Sequence, residues 1–173
     1  MPSFLGNNFE WQDYMPHLGL LVSGGNTVLF SLDISLDLKV IAETVDDAAG
    51  EALDKGAKLL GMPYPGGAKM EESAKDGNPK AFDFPLAFPE KNELKFSFSG
   101  LKTSLFYKLN KWTESEVELN KADLSASYQK AVVDQLVRKT GQVISPDSFK
   151  SFGLSGGVAN NELIRSEFGK LCQ

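Results

Sequence analysis

Two Ser-Gly-Gly sequences, at residues 23–25 and 155–157, each follow a short apolar run in this 173-residue chain. The apolar runs cover residues 18–22 and 152–154 and are typical of buried strands. Paired glycines permit positive φ, a close approach of the main chain to a ligand, and backbone N–H groups aimed at anionic oxygens. One such turn is weak evidence. Two turns at the ends of two strands predict a nucleotide held in a cleft between them.

The elements that must position these turns follow from hydrophobic periodicity and from Gly and Pro punctuation. The predicted elements are the strands 18–23, 27–33, 40–43 and 151–155, and the helices 46–60, 68–74, 98–110, 122–143 and 160–171. Residues 112–120 are polar and predict a connection. Residues 82–98 carry five phenylalanines and predict an irregular loop held by aromatic burial, rather than a platform for stacking bases. This order of elements predicts an α/β fold with ligands at strand ends.

Composition and charge exclude several classes of protein. The formal net charge of −5 argues against a dedicated non-specific nucleic-acid binder, whose surface should be basic. No apolar run is long enough to span a bilayer, so we expect no membrane association and a cytoplasmic location. Cys172 is the single cysteine and cannot form an internal disulfide. His17 is the only histidine, so a histidine-based metal site cannot be assembled from this chain alone.

Five segments resemble, in order and spacing, the bacterial TsaD family of tRNA adenosine threonylcarbamoyltransferases, formerly called glycoproteases. They are LVSGGNT, DDAAGEALDKGAKLLGMPYPGG, FSFSGLKT, SYQKAVVDQLVRKT and LSGGVANNELIR. The resemblance runs over about residues 18–171. It implies an α/β fold that is part of an actin/hexokinase/Hsp70-like (ASKHA, RNase H-like) two-lobed architecture. Residues 1–17 would form an entry loop. Residues 18–173 would form a partial nucleotide-binding lobe with a helical insertion at about 46–143.

The resemblance also implies a reaction and a set of binding residues, with none assigned to catalysis. Members transfer a threonylcarbamoyl group from threonylcarbamoyl-AMP to a tRNA adenosine next to the anticodon. Residues 21–25 would contact the acyl-phosphate, Asp54 the ribose hydroxyls, Gly67 the sugar or base by close backbone approach, and Asn161 a polar group through its amide. The substrate-binding set is therefore Leu21, Val22, Ser23, Gly24, Gly25, Asp54, Gly67 and Asn161.

Each assignment has a structural alternative. Asp54 is spaced to pair with Lys58 at i,i+4 on a helix surface, and the asparagines at 160 and 161 are spaced to be helix N-caps. The glycine pairs also suit tight turns without a ligand. Two positions depart from the family pattern: Asn26 stands where histidine is usual, and Asn160 stands where a small residue is usual.

The family's metal site lies outside this sequence. Members hold Fe or Zn through a His-x-x-x-His pair upstream of the first glycine turn and an aspartate after the second, and the chain contains neither segment. His17 has the wrong spacing to be either histidine, and is expected to cap the approach to the first strand or to lie on the surface. No metal ligand is assigned here. We therefore expect an internal fragment that binds an adenine nucleotide but does not catalyse transfer alone.

Three other functions compete with this interpretation. A non-catalytic scaffold paralogue usually lacks the helical motif that is intact at residues 51–55. An ATPase or sugar kinase needs acidic Mg²⁺ ligands, for which Asp46 and Asp47 are candidates, although acids in a first helical turn are a simpler account. A serine hydrolase needs a base near Ser23 or Ser155, and the sequence offers neither a second imidazole nor a nucleophile elbow.

The expected partners rest on the same resemblance. They are tRNA and the partner proteins of the threonylcarbamoylation complex. Six cations are spaced to form a local basic face, although solvated helix charges are the commoner outcome. They are Lys95, Lys102, Lys108, Lys130, Arg138 and Lys139.

Overall fold

The computed structural model describes residues 10–90, 92–144 and 148–172, with four strands and six α-helices among them. The strands are β1 (His17–Val22), β2 (Thr27–Leu32), β3 (Leu38–Glu43) and β4 (Ser151–Ser155). The helices are α1 (Ala49–Leu59), α2 (Gly66–Ala74), α3 (Ser99–Leu109), α4 (Glu114–Leu119), α5 (Lys121–Gly141) and α6 (Glu162–Leu171). Short 3-10 helices occur at Trp11–Tyr14 and Gly157–Asn160.

The four strands form one sheet in the order β3-β2-β1-β4. β2 runs antiparallel to both of its neighbours, whereas β1 and β4 are parallel. The carboxyl ends of β1, β3 and β4 therefore lie at the same edge of the sheet. Leu21 pairs there with Ser155, and each glycine turn begins at or just after this pair. This edge is where open α/β sheets bind their ligands.

Buried residues of α1, α2, α3, α5 and α6 share one hydrophobic core with alternate strand residues. Leu18, Leu20 and Val22 of β1 supply fully buried side chains to this core. Helix α1 lies deep in the core, and its small residues bring other elements close. A Cβ on Gly56 would stand 2.5 Å from the ring of Tyr128, so no larger residue fits between α1 and α5. The prediction that small residues in this helix imply close packing is confirmed.

Helix α1 ends as the sequence predicts but begins later. Gly61 takes φ of 72° just beyond Leu60, and the Met62 N–H donates to the Ala57 carbonyl at 2.9 Å, which completes a glycine C-cap. The predicted start at Asp46 is wrong, because α1 begins at Ala49.

Asp46 and Asp47 hold other elements instead of the first turn of α1. Asp46 accepts hydrogen bonds from the hydroxyls of Ser97 and Ser99 at 2.5 and 2.7 Å, and from the Phe98 N–H at 2.8 Å. Burial raises the pKa of Asp46, but these hydrogen bonds outweigh it and hold the pKa below its ordinary value. Asp47 pairs with Lys55 at 2.7 Å. Both carboxylates therefore serve the fold.

The connection predicted for residues 112–120 is wrong. Residues Glu114–Leu119 form α4, which begins with a capping box: the Thr113 hydroxyl accepts from the Glu116 N–H, and the Glu116 carboxylate accepts from the Thr113 N–H. The polar composition hid this helix, because α4 buries no residue and has no apolar face to reveal it.

The loop at residues 82–98 is held by aromatic burial, as predicted. Phe96 and Phe98 are fully buried and stack with ring centroids 6.3 Å apart. Two neighbouring cations of α5 also hold the loop. Arg138 donates to the Ala87 carbonyl at 2.6 Å and to the Phe88 carbonyl at 2.8 Å, and Lys139 donates to the carbonyls of Glu90 and Glu93.

Contacts within the protein engage four of the six cations that are spaced to form a basic face. Lys139 is fully buried, and Lys130 pairs with Asp134 on the same helix. Lys108 lies over the Phe82 ring, 5.2 Å from its centroid. These cations are occupied by the protein itself.

The two ends of the chain show smaller differences. The predicted entry loop at residues 1–17 falls largely on residues 1–9, which lie outside the described residues, and β1 already begins at His17. Helix α6 begins at Glu162 rather than at 160, because Gly157–Asn160 forms a 3-10 helix. Among the described residues, no helix combines the length and apolarity needed to cross a bilayer.

Candidate functional site

The two glycine turns meet at the first turn of α1. The Gly50 N–H donates to the Ser23 carbonyl at 3.2 Å, which ties the first turn to the helix. A Cβ on Gly50 would stand 2.6 Å from that carbonyl oxygen and 2.8 Å from a methyl of Val158 in the second turn. Residue 50 must therefore be glycine for both turns to reach the helix start. The predicted proximity of the two turns is present in the structure.

The second turn depends on the backbone freedom of Gly156. Its φ is 95°, and a Cβ there would stand 2.2 Å from the Val22 carbonyl oxygen. The chain leaving β4 thus crosses directly over the end of β1, at a distance that no side chain permits. The positive φ that paired glycines allow is used here, whereas Gly24, Gly25 and Gly157 do not adopt it.

The first turn uses the N–H groups of Gly25 and Asn26 internally. The Ser23 hydroxyl oxygen accepts from the Gly25 N–H at 3.3 Å and from the Asn26 N–H at 3.0 Å. Gly24 and Gly25 are exposed, and a Cβ on either would meet nothing within 4 Å. The turn therefore leaves open space for an incoming group, while Ser23 mainly shapes the turn.

A cleft of about 360 Å³ lies between the glycine turns, α1 and the start of α2. It is lined by Gly24, Gly50, Leu53, Asp54, Tyr64, Pro65, Gly67, Ala68, Glu71, Gly157, Val158, Asn160 and Asn161. Four of the predicted binding residues, from three separate segments, therefore share one cleft: Gly24, Asp54, Gly67 and Asn161. Leu21, Val22, Ser23 and Gly25 are not among its lining residues. Val22 is fully buried in the core.

Asp54 is held by the backbone of α2. Its Oδ1 accepts from the Gly67 N–H at 2.8 Å, and Gly66 packs so closely that a Cβ there would stand 3.0 Å from the Asp54 Cα. The surface pairing with Lys58 that the sequence allowed is absent, since Lys58 forms none of the ion pairs within the described residues. Asp54 thus keeps one carboxylate oxygen beyond the Gly67 contact, at the wall of the cleft.

Asn161 is both a helix cap and part of the cleft wall. Its Oδ1 accepts from the Ile164 N–H at 3.1 Å, so the N-cap interpretation is confirmed. Its Nδ2 donates to Gln129 Oε1 at 2.9 Å, with both side chains buried. These two contacts fix the orientation of the amide. Because the NH₂ group carries two protons, one donor of Asn161 remains for the cleft.

Gln129 is the residue of this site that the sequence did not reveal. It lies in the middle of α5 in a segment that reads as an ordinary amphipathic helix, 32 positions from Asn161. The burial of Gln129, which only the fold reveals, is the signal that points to it, because a buried amide requires a partner.

We expect Gln129→Leu to destabilise the chain and to lose its effect when Asn161 is also removed. The leucine leaves the Asn161 Nδ2 without its buried acceptor, which corresponds to a coupling of about 0.5–1.5 kcal/mol. The coupling is measured by urea unfolding of Gln129→Leu, Asn161→Ala and the double variant. Additive effects would show that the two side chains do not stabilise each other.

Among the residues that the structure describes, histidine and acidic side chains are not gathered into a metal site. No group of three or more His, Cys, Asp or Glu side chains there could hold a metal ion. His17 Nδ1 lies 2.6 Å from Ser151 Oγ, whose hydroxyl donates to the Tyr14 carbonyl at 2.7 Å. Since that hydroxyl proton is used, Nδ1–H is the donor to Ser151. His17 therefore holds β1 to β4, and burial lowers its pKa. The residues described here do not fit the Fe or Zn that the family resemblance implies.

The sheet order, the crossing at Gly156 and the cleft at the strand ends define an α/β protein of the actin-like ATPase fold. Component A of the (R)-2-hydroxyglutaryl-CoA dehydratase of Acidaminococcus fermentans has a similar structure, with a TM-score of 0.55 at 16% sequence identity. The match covers 90% of this chain and 52% of that chain, and it shows the fold alone.

Sequence comparison then identifies the family. Residues 4–173 match the family described as TsaD: tRNA N6-adenosine threonylcarbamoyltransferase, and the chain belongs to this family. The enzyme of that name from Moorella thermoacetica is 45% identical over 153 residues, covering 88% of this chain and 45% of the relative. Its namesake from Anaeromyxobacter dehalogenans is 48% identical over 151 residues, covering 87% and 45%. The chain therefore spans about half the length of its curated relatives.

Proposed function

We propose that this chain supplies the nucleotide-binding part of an enzyme that transfers a threonylcarbamoyl group from threonylcarbamoyl-AMP to a tRNA adenosine next to the anticodon. The observation that carries the proposal is the cleft in which Gly24, Asp54, Gly67 and Asn161 converge. These four are among the eight binding residues that the family resemblance implies from the sequence, and they come from three distant segments. The relatives' shared name, tRNA N6-adenosine threonylcarbamoyltransferase, supports the reaction class.

The chemistry of the cleft suits an adenylate. The carboxylate of Asp54 is oriented by the Gly67 N–H, and its other oxygen is available to accept from ribose hydroxyls. The exposed glycine turns offer close backbone approach to phosphoryl oxygens. Asn161 offers a fixed N–H to a base or sugar acceptor. These groups bind and orient the substrate.

The transfer itself breaks one bond and forms another. The exocyclic amine of the tRNA adenosine attacks the carbamoyl carbon, the bond from that carbon to the phosphate oxygen breaks, and AMP leaves with the electron pair. The amine loses one proton to the surrounding water. Negative charge grows on the departing phosphate, where N–H groups of a glycine turn are stabilising.

The same geometry disfavours the ATPase or kinase alternative. Such an enzyme needs free carboxylates for Mg²⁺. Asp46 is occupied by the start of α3, and Asp47 by Lys55. The scaffold alternative is disfavoured by the oriented carboxylate at Asp54, which a non-binding paralogue does not need.

The proposed reaction also implies where the whole enzyme acts and which molecules it acts with. We propose that it acts in the cytoplasm with tRNA and with the partner proteins of the threonylcarbamoylation complex. We further propose that the chain by itself does not catalyse transfer, because the residues expected to bind the metal are not in it.

The test combines calorimetry with a transfer assay. AMP, ATP and a stable threonylcarbamoyl-adenylate analogue are titrated into this chain, and the analogue is expected to bind saturably. The chain is then incubated with threonylcarbamoyl-AMP and tRNA, beside the complete Moorella relative as the positive control. We expect modified adenosine only in the control. Absence of saturable binding would contradict the nucleotide site, whereas transfer by the chain alone would contradict its proposed inactivity.

A further inference from the structure

A second cavity, of about 510 Å³, adjoins the nucleotide cleft on the other side of Asp54. It is lined by Gly24, Glu51, Asp54, Lys55, Lys58, Met62, Pro63, Tyr64 and Gly66. Gly24, Asp54 and Tyr64 line both cavities. The two spaces therefore meet at these three residues, and a molecule in one would lie beside a molecule in the other.

Tyr64 presents an aromatic ring to this junction from an anchored stretch of backbone. Its side chain is 87% exposed, the highest value among the large hydrophobic residues described. The next residues are held tightly: Gly66 packs against Asp54 and Ala57, and the Gly67 N–H donates to Asp54 at 2.8 Å. The connection between α1 and α2 thus holds an apolar ring in water at the mouth of a cleft, without a role in the core.

The lysines of this cavity differ in their ion pairs. Lys55 is engaged by Asp47 at 2.7 Å and by Glu51 at 2.9 Å, and these contacts raise its pKa. Lys58 is exposed and takes part in none of the ion pairs within the described residues. Lys58 on α1 is therefore a cation that can pair with an anion from solution.

We propose that this second cavity is the subsite for the acceptor RNA, in which a nucleobase of a single-stranded loop stacks on Tyr64 while Lys58 contacts a phosphate of the same strand. The proposal rests on the proposed function, which requires an RNA adenosine to reach the carbonyl of a nucleotide already bound. An exposed ring beside a free cation is the combination that binds single-stranded nucleic acid. The adenylate occupies the Asp54–Gly67 cleft, so the adjoining cavity is left for the acceptor.

The size of the feature favours a nucleotide over a protein partner. A stable protein interface buries several hundred Å² on each side around a cluster of apolar anchors. The projecting apolar group here is one ring, next to acidic and basic side chains. That arrangement matches one base and one phosphate.

The test measures binding of a fluorescent RNA hairpin with a single-stranded, adenosine-containing loop, by anisotropy at low salt. Tyr64→Ala is expected to weaken binding at least about fivefold, the loss typical of one stacked base, and Tyr64→Phe is expected to retain it. Tyr107→Ala is the matched control, because Tyr107 is an exposed tyrosine on α3 that lines neither cavity. Equal loss in both alanine variants, or no saturable RNA binding at all, would overturn the proposal.

Salt dependence tests the phosphate contact. Lys58→Gln is expected to reduce the slope of log K against log salt by about 0.7, the change for one phosphate of a single strand. The control is Lys170→Gln on α6, whose lysine pairs with Glu167. An unchanged slope in Lys58→Gln would show that Lys58 does not contact a phosphate of the bound RNA.

A parallel titration with AMP separates this inference from the proposed function. Lys58→Gln is expected to bind AMP as the unmodified chain does, because Lys58 lines the second cavity and not the nucleotide cleft. If it loses AMP affinity, the second cavity belongs to the adenylate site and the acceptor assignment is overturned. If the unmodified chain binds the hairpin through Tyr64 but binds no nucleotide, the proposed nucleotide site fails while the RNA subsite stands.

Discussion

Gly156→Ala is expected to lower the free energy of unfolding by about 2–6 kcal/mol. An alanine at φ 95° and ψ 166°, a region that essentially only glycine adopts, costs about 1–3 kcal/mol in backbone strain. Its Cβ would also stand 2.2 Å from the Val22 carbonyl oxygen, which is backbone and cannot rotate away. The backbone shifts needed to accommodate this extra atom cost about 1–3 kcal/mol more. Urea unfolding followed by circular dichroism measures the change.

The adjacent glycine provides the control. A Cβ on Gly157 meets nothing within 4 Å, and its φ is not positive, so Gly157→Ala is expected to change stability by less than about 0.5 kcal/mol. Each variant adds one methyl group, and the two positions are neighbours in the same turn. Equal destabilisation would show that the turn does not depend on the close crossing over β1.

The comparison of these glycines shows what the sequence could and could not predict. Two Ser-Gly-Gly turns after apolar runs predicted the common sheet edge and the cleft, because strands and glycine turns leave strong local patterns. The local pattern could not tell which glycine of each pair is required. That depends on a chain crossing between β1 and β4, which are 134 residues apart in their first register pair.

The parts that sequence reasoning missed share a physical cause. Asp46 looked like a first-turn helix acid, yet it accepts hydrogen bonds from residues more than 50 positions away. Gln129 looked like one polar residue on an amphipathic helix, yet its amide fixes Asn161. Helix α4 has no apolar periodicity to reveal it. Residues that form polar contacts over long sequence distances do not recur at a regular spacing in the sequence. Local patterns therefore do not distinguish them from polar residues exposed to solvent.

Removing the Asp54 carboxylate is expected to weaken adenine-nucleotide binding about 10- to 150-fold, the value of a hydrogen bond to a charged group. In Asp54→Ala the ribose loses its acceptor, and the Gly67 N–H loses its partner at 2.8 Å. Some of the loss would then reflect movement of the α2 start rather than the missing contact. Calorimetric titration of AMP and the threonylcarbamoyl-adenylate analogue measures the total.

Asp54→Asn separates these two contributions. The asparagine oxygen can still accept from the Gly67 N–H, so the backbone of α2 is expected to stay in place. The atom that faces the cleft becomes an NH₂ group, which donates and cannot accept from a ribose hydroxyl. If Asp54 contacts the ribose, Asp54→Asn binds nucleotide about as poorly as Asp54→Ala while unfolding at the urea concentration of the unmodified chain.

The opposite result would give Asp54 a different role. Asp54→Asn with full nucleotide affinity would mean that the carboxylate serves only to hold Gly67, and the ribose contact would have to come from another group in the cleft. Asp134→Ala controls for the loss of one negative charge, because Asp134 pairs with Lys130 on α5 and does not line the cleft. It is expected to leave nucleotide affinity unchanged. Only a loss confined to position 54 supports direct recognition of the sugar.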